Sequence, residues 1–152
     1  IERPESFFSG IDVEVGATYT TPSHEITVAD IADFCRLTRD FHPLHTDADY
    51  AKKAGFPGII AHGLYGLALM EGLKTELKLY EETSIASLGW NDVRFKHAIV
   101  AGDTVYVEMD FTAKRESGSR PAGIITEAVR LCRADGTLLI EAEHISLIRK
   151  AP

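Results

Sequence analysis

The eight residues Asp40-Phe41-His42-Pro43-Leu44-His45-Thr46-Asp47 hold the densest group of proton-moving side chains in this sequence. A carboxylate and an imidazole on one turn can hold a single water between them and share two proton transfers. Seventeen residues after His45 stand His62 and Gly63, at the entrance to a long apolar stretch that reads as a helix. A helix N-terminus offers free main-chain N–H groups, and the positive end of its dipole, to an anion or a developing oxyanion. Gly63 lets a ligand approach that backbone closely.

The elements that must position these residues can be read from patterning. Ile11 to Ile26 reads as extended chain broken by Gly16 and Pro22. Thr27-Val28-Ala29-Asp30 is a capping-box pattern opening a helix through about Thr38, with Val28, Ile31, Phe34 and Thr38 on one face. Pro43 pushes His42 into an extended conformation, so Asp40 to His45 form a non-helical, stiffened turn. Thr46 and Asp47 cap a short helix to Ala54, stopped by Gly55, and Phe56-Pro57-Gly58 is a turn. His62 to about Leu79 is a long helix, apolar nearly all round in its first half, with Leu64, Leu67, Leu69, Met70 and Leu73 assigned to the core. A helix without a polar stripe is buried on most sides, and in a small domain only a wrapping sheet can do that. Ser84–Val93, Arg94–Val100, Thr104–Thr112, Ala122–Arg133 and Thr137–Ile148 read as strands. The last two form a hairpin around Asp135-Gly136, and Glu116 to Arg120 reads as a polar loop. The pattern is α+β, with helices segregated on one face of an antiparallel sheet.

The 152 residues fit one domain, 1–152, and need no disulfide or metal to fold. With 45% hydrophobic and 26% charged residues the composition is that of an ordinary globular protein. A net charge of −7 argues against a nucleic-acid partner. No stretch is apolar for long enough to cross a membrane, and no signal-peptide pattern opens the chain. Cys35 falls in a helical pattern and Cys132 in a strand pattern, as expected of two reduced, buried thiols in a cytoplasmic protein. His42, His45, Asp47 and Asp49 are metal ligands by type. Their spacing matches no zinc pattern, so no metal is expected, and Asp47 and Asp49 read as first-turn carboxylates of a helix.

Asp40-x-x-Pro43-x-His45, the following Asp47, the turn at Phe56 and then Ala61-His62-Gly63 resemble the MaoC-like dehydratases, the (R)-specific enoyl-CoA hydratases. Asp92-Val93-Arg94-Phe95 followed by Ala101-Gly102-Asp103-Thr104-Val105 extends the resemblance, which covers roughly residues 10 to 148. It implies a hot-dog fold, in which a long central helix is wrapped by a curled antiparallel sheet. It also implies a hydro-lyase that hydrates a 2-enoyl-CoA to a 3-hydroxyacyl-CoA, the (R)-alcohol, or runs the reverse dehydration. Asp40 and His45 would be the catalytic pair and the Gly63 N–H the oxyanion donor. His42, Pro43, Phe56 and His62 would orient the turn or bind substrate. No cofactor is implied beyond the coenzyme A of the substrate, whose phosphates need cations; Lys52, Lys53, Arg94, Lys96, Arg115 and Arg120 are candidates. Free sheet edges suggest a homodimer or higher oligomer. Two departures stand out. His42 occupies a position often held by Asn, where it either hydrogen-bonds in that residue's place or tunes the pair. Lys96-His97 replaces an apolar residue and proline. Two rivals are a hot-dog acyl-CoA thioesterase and a non-catalytic acyl-CoA binder. The thioesterase would need a carboxylate on or near the central helix, where Glu71 is the only one in the first half, and would leave the Asp40/His45 pair unexplained; the binder needs a pocket but not two titratable groups.

Overall fold

The computed structural model describes residues 13–119 and 121–149. Ile11 and Asp12, at the start of the first expected extended segment, and Arg120 lie outside them. Two short strands, β1 (Thr18–Thr20) and β2 (His24–Glu25), lead into helix α1 (Val28–Thr38). A 3-10 turn (Pro43–His45) and helix α2 (Ala48–Lys53) follow, then helix α3 (Gly63–Glu76). Strands β3 (Ser84–Phe95), β4 (Thr104–Glu116), β5 (Ala122–Arg133) and β6 (Leu138–Arg149) complete the chain. The sheet runs β1-β4-β5-β6-β3, with β2 also on β4, and every pairing is antiparallel. With α3 laid against β4, β5 and β6, this is the expected α+β hot dog.

The local chemistry accounts for most element ends. The Thr27 side chain accepts from the Asp30 N–H while the Asp30 carboxylate accepts from the Thr27 N–H, the capping box read from the sequence. Asp47 alone caps α2; Thr46 instead closes the 3-10 turn, its N–H donating to Pro43 O. Gly136, with φ at +90°, makes the β5–β6 turn, where the Asp135 carboxylate accepts from the Thr137 N–H. On β4 the alternating Val105, Val107, Met109 and Phe111 are all buried. Full burial of one such side chain contributes about 1.5–3 kcal/mol.

The proline turn and α3 depart from expectation. Pro43–His45 is a 3-10 turn rather than wholly non-helical, because Pro at its first position suits helical φ and the His42 side chain caps it. Helix α3 in a single copy is buried along only one stripe, Gly66, Met70, Leu73 and Lys74. Leu64, assigned to the core, is 66% exposed, because the sheet covers only the face toward β4, β5 and β6. The buried interior also holds Lys74, Glu127, His144 and Ser146.

Candidate active site

The end of α1 sets the position of Asp40. Arg39 takes the left-handed conformation (φ 69°) and its N–H donates to Cys35 O at 2.7 Å. That conformation costs a non-glycine residue about 1–2 kcal/mol, and it turns the chain so that Asp40 leaves the helix. His42 is extended (φ −53°, ψ 139°), as a residue before proline must be. Its Nδ1 accepts from the Leu44 N–H at 3.1 Å, and its own N–H donates to Asp40 Oδ1 at 3.3 Å. Pro43 O accepts from the N–H groups of Thr46 and Asp47, at 3.2 and 2.9 Å.

His45 Nδ1 lies 2.7 Å from Ile60 O. A carbonyl only accepts, so Nδ1 carries the proton and Nε2 of the neutral ring is bare. Beneath it the His62 ring stacks at 3.7 Å and 21°. His62 is 4% exposed. Its Nε2 donates to the main-chain oxygen of Asp40 at 3.0 Å and stands 3.9 Å from Asp40 Oδ2. Cys35 Sγ lies 3.6 Å from the same nitrogen; burial, and then the charge of Asp40, push the Cys35 thiol up, away from thiolate. His62 Nδ1 is buried without a hydrogen-bond partner among the described residues. Asp40, His45 and His62 thus bring one polar atom each to within 4.8 Å of one another. One water, with hydrogen bonds of about 2.7–3.0 Å to each side, can bridge such a gap.

Helix α3 begins beside this group. Thr27 caps α1 and Asp47 caps α2, but His62 makes no side-chain cap for α3. The first bond within α3 runs from the Gly66 N–H to His62 O, so the N–H groups of Gly63, Leu64 and Tyr65 are its orphan donors. A Cβ on Gly63 would meet the Phe95 ring at 2.7 Å.

The other expected residues are more dispersed. Phe56 is half-buried in the turn after α2, its N–H donating to Ala51 O at 3.0 Å. Of the metal-type residues, Asp47 caps α2 and His42 Nδ1 is spent on the 3-10 turn, while His45 stands with Asp40 and His62 in a group whose ligand types could hold a metal ion. Of the candidate cations, Lys52 and Lys53 are exposed on the last turn of α2, Arg94 and Arg115 are exposed, and Lys96 pairs with Glu141 at 3.5 Å. Sequence reasoning missed Ile60, whose main-chain carbonyl fixes the His45 tautomer, because a carbonyl leaves no mark in the residue type. It also missed Phe34, whose ring lies 4.8 Å from that of His62 on the apolar face of α1.

The chain also resembles known proteins. The chain is 32% identical over 123 residues, 81% of its length and 87% of the relative's, to the (R)-specific enoyl-CoA hydratase of Aeromonas caviae. A structure described as the (R)-hydratase from A. caviae involved in PHA biosynthesis superposes with a TM-score of 0.75 at 29% identity, covering 91% of this chain and 98% of that one. The monoamine oxidase regulatory protein from Archaeoglobus fulgius superposes with a TM-score of 0.88 at 31% identity, covering 95% of each chain. A family model for the MaoC like domain matches residues 12–130, and the chain belongs to that family.

Proposed function

We propose that this hydro-lyase adds water across the double bond of a 2-enoyl-CoA, and removes it in reverse, with Asp40 and His45 sharing the proton steps. The observation that carries this reading is the convergence of Asp40 and His45 beside the uncapped start of α3. The water oxygen bonds to the β-carbon and one member of the pair takes a water proton. Charge flows to the thioester oxygen, where the Gly63 N–H receives it; preorganised donors of this kind supply a large share of the stabilisation in such reactions. A proton returned from the pair to the α-carbon completes the addition. The name of the A. caviae relative supports the (R)-alcohol as product. The acyl-CoA is the only small-molecule partner required, and a homodimer in the cytoplasm suits the open face of α3 and the two free, buried cysteines. Among the described residues no helix is long and apolar enough to cross a membrane.

The test is steady-state hydration of crotonyl-CoA, followed by loss of the conjugated-enoyl absorbance. Asp40→Asn should lower kcat by about 10²–10⁴-fold. A mutant that keeps the wild-type rate would overturn the pair assignment. A folded wild type inert toward crotonyl-CoA, and toward longer and dicarboxylic enoyl-CoAs, would make the chain a binder.

A further inference from the structure

The cavity at the C-terminal end of α3 has no part in the proton steps of hydration. About 320 Å³ in volume, it is lined by Glu71, Lys74 and Thr75 of α3 and by Tyr80 and Glu81 beyond it, among others. Lys74 is 3% exposed, and an ammonium only donates. Glu127 Oε1 and His144 Nδ1 accept from it at 2.7 and 3.0 Å, and Glu71 Oε2 pairs with it at 2.9 Å. Burial pushes the Glu127 carboxyl up, but its polar partners outweigh that and hold it below the usual carboxylate range. It therefore keeps its hold on Lys74. The Tyr80 O–H goes to Glu127 Oε2 at 2.7 Å, and the Thr75 O–H to Glu71 O at 2.8 Å.

The donors of this wall are thus committed, and what it still offers is lone pairs. Glu71 Oε2 is buried and receives no hydrogen bond among the described residues, only the charge of Lys74. Tyr80 Oη and Thr75 Oγ1, having given their protons, can still accept. A ligand that fits brings a donor. A carboxylate would find no free proton and would meet Glu71 and Glu81 as like charges. A methyl group would take water from these acceptors and return nothing, which is costly.

An open stripe of α3 leads to this cavity from the first site. Leu64 is 66% exposed; exposed Ala68, half-buried Glu71 and exposed Thr75 follow it at helical spacing on one face. At about 1.5 Å per residue, the step from Gly63 to Glu71 is about 12 Å. A zigzag chain with bonds of about 1.5 Å covers it in about eight to ten carbons. The stripe begins apolar and ends polar, so it matches a hydrocarbon with a polar end. A second copy laid over α3 would roof a recess of this volume, not fill it, and would enclose the chain.

We propose that this cavity receives the far end of the acyl chain and selects chains of about eight to ten carbons that end in a hydroxyl group. The thioester lies at the Gly63 N–H, the hydrocarbon runs over Leu64 and Ala68, and the hydroxyl donates into the acceptors of Glu71, Thr75 and Tyr80. This rests on the hydratase reading for the place of the thioester.

The experiment compares three trans-2-enoyl-CoAs of that length, ending in a methyl, a hydroxyl or a carboxylate. For the wild type, kcat/KM should be about tenfold higher for the hydroxyl than for the methyl end, and lowest for the carboxylate. Glu71→Leu should erase or reverse the hydroxyl-to-methyl ratio. Thr75→Val, at an exposed position, should reduce it and serves if the melt of Glu71→Leu shows a damaged fold. A wild type that prefers the methyl or carboxylate end, or a ratio indifferent to both substitutions, would overturn the proposal and leave the hydratase reading standing. A wild type inert toward all three would overturn the hydratase reading instead. Calorimetric binding of the saturated CoA esters then decides: about tenfold tighter binding of the hydroxyl end keeps the site, and equal or absent binding removes it.

Discussion

His62 supports the proposed site from below. One nitrogen holds the Asp40 main chain at 3.0 Å and the ring face backs His45 at 3.7 Å. Replacing it with alanine frees both partners, and a misplacement near 1 Å can cost about 10²-fold in rate. We expect His62→Ala to lower kcat for crotonyl-CoA by about that factor with a smaller change in KM. His62→Gln, which keeps an N–H donor, should recover part of the loss; equal losses would assign the effect to the stacked ring alone. Glu127 makes a different prediction. Its folded pKa is depressed, so its stabilisation is complete above the unfolded value of about 4.3 and is lost as pH falls through the lower folded value. Melting temperatures from pH 7 to pH 3 should fall steeply below about pH 4 for the wild type, and Glu127→Gln should flatten that slope while lowering the plateau. Asp40, His45 and His62 were legible as a group because their types and spacing are unusual. The buried ion pair of Lys74 and Glu127, with His144 beside it, was not, since Glu127 lies between the apolar inward residues Ile125 and Val129 of its strand.

Helix α3 presses two glycines against the sheet, and they should answer differently to the same substitution. A Cβ on Gly66 would come within 2.6 Å of the tips of Ile140 and Ile99, both fully packed. Gly66→Ala should therefore cost about 1–3 kcal/mol, the usual range for overpacking, read from denaturant unfolding. At Gly63 the obstacle is Phe95, whose exposed ring can swing away. Gly63→Ala should thus change stability little but fill the space before the free N–H groups, and hydration should fall. A Gly63→Ala enzyme of wild-type activity would remove that N–H from the proposed chemistry. The capping box, the proline turn and the Asp-Gly hairpin were legible because each is a local rule. Element lengths were not. β4 runs on to Glu116 because a bulge between Phe111 and Ala113 shifts its pairing with β5 without ending it, and alternation breaks at that point. β3 is continuous through Arg94 despite three register shifts against β6, where periodicity suggested two segments. α3 stops at Glu76, short of Leu79, and Lys78 turns left-handed beyond it.

The sheet order leaves β3 as an outer strand, twelve residues long, with Ile85, Leu88 and Phe95 exposed. An edge of that length carrying apolar side chains is a template for another chain. The open side of α3 points the same way. Its sequence asks for burial nearly all round, yet one sheet covers one stripe and leaves Leu64 in solvent. A second copy of the chain, pairing along β3 and covering α3, answers both demands at once. Light scattering on the eluting protein should therefore give twice the 16.7 kDa of one chain. Ile85→Lys combined with Leu88→Lys puts two charges on the exposed strand and should shift the mass toward one chain, with a melting temperature that no longer rises with protein concentration. A wild type that elutes at the mass of one chain would leave Leu64 and the β3 edge to solvent or substrate. The double variant would then keep the wild-type mass, and any change in its hydration rate would mark β3 as part of the substrate's path.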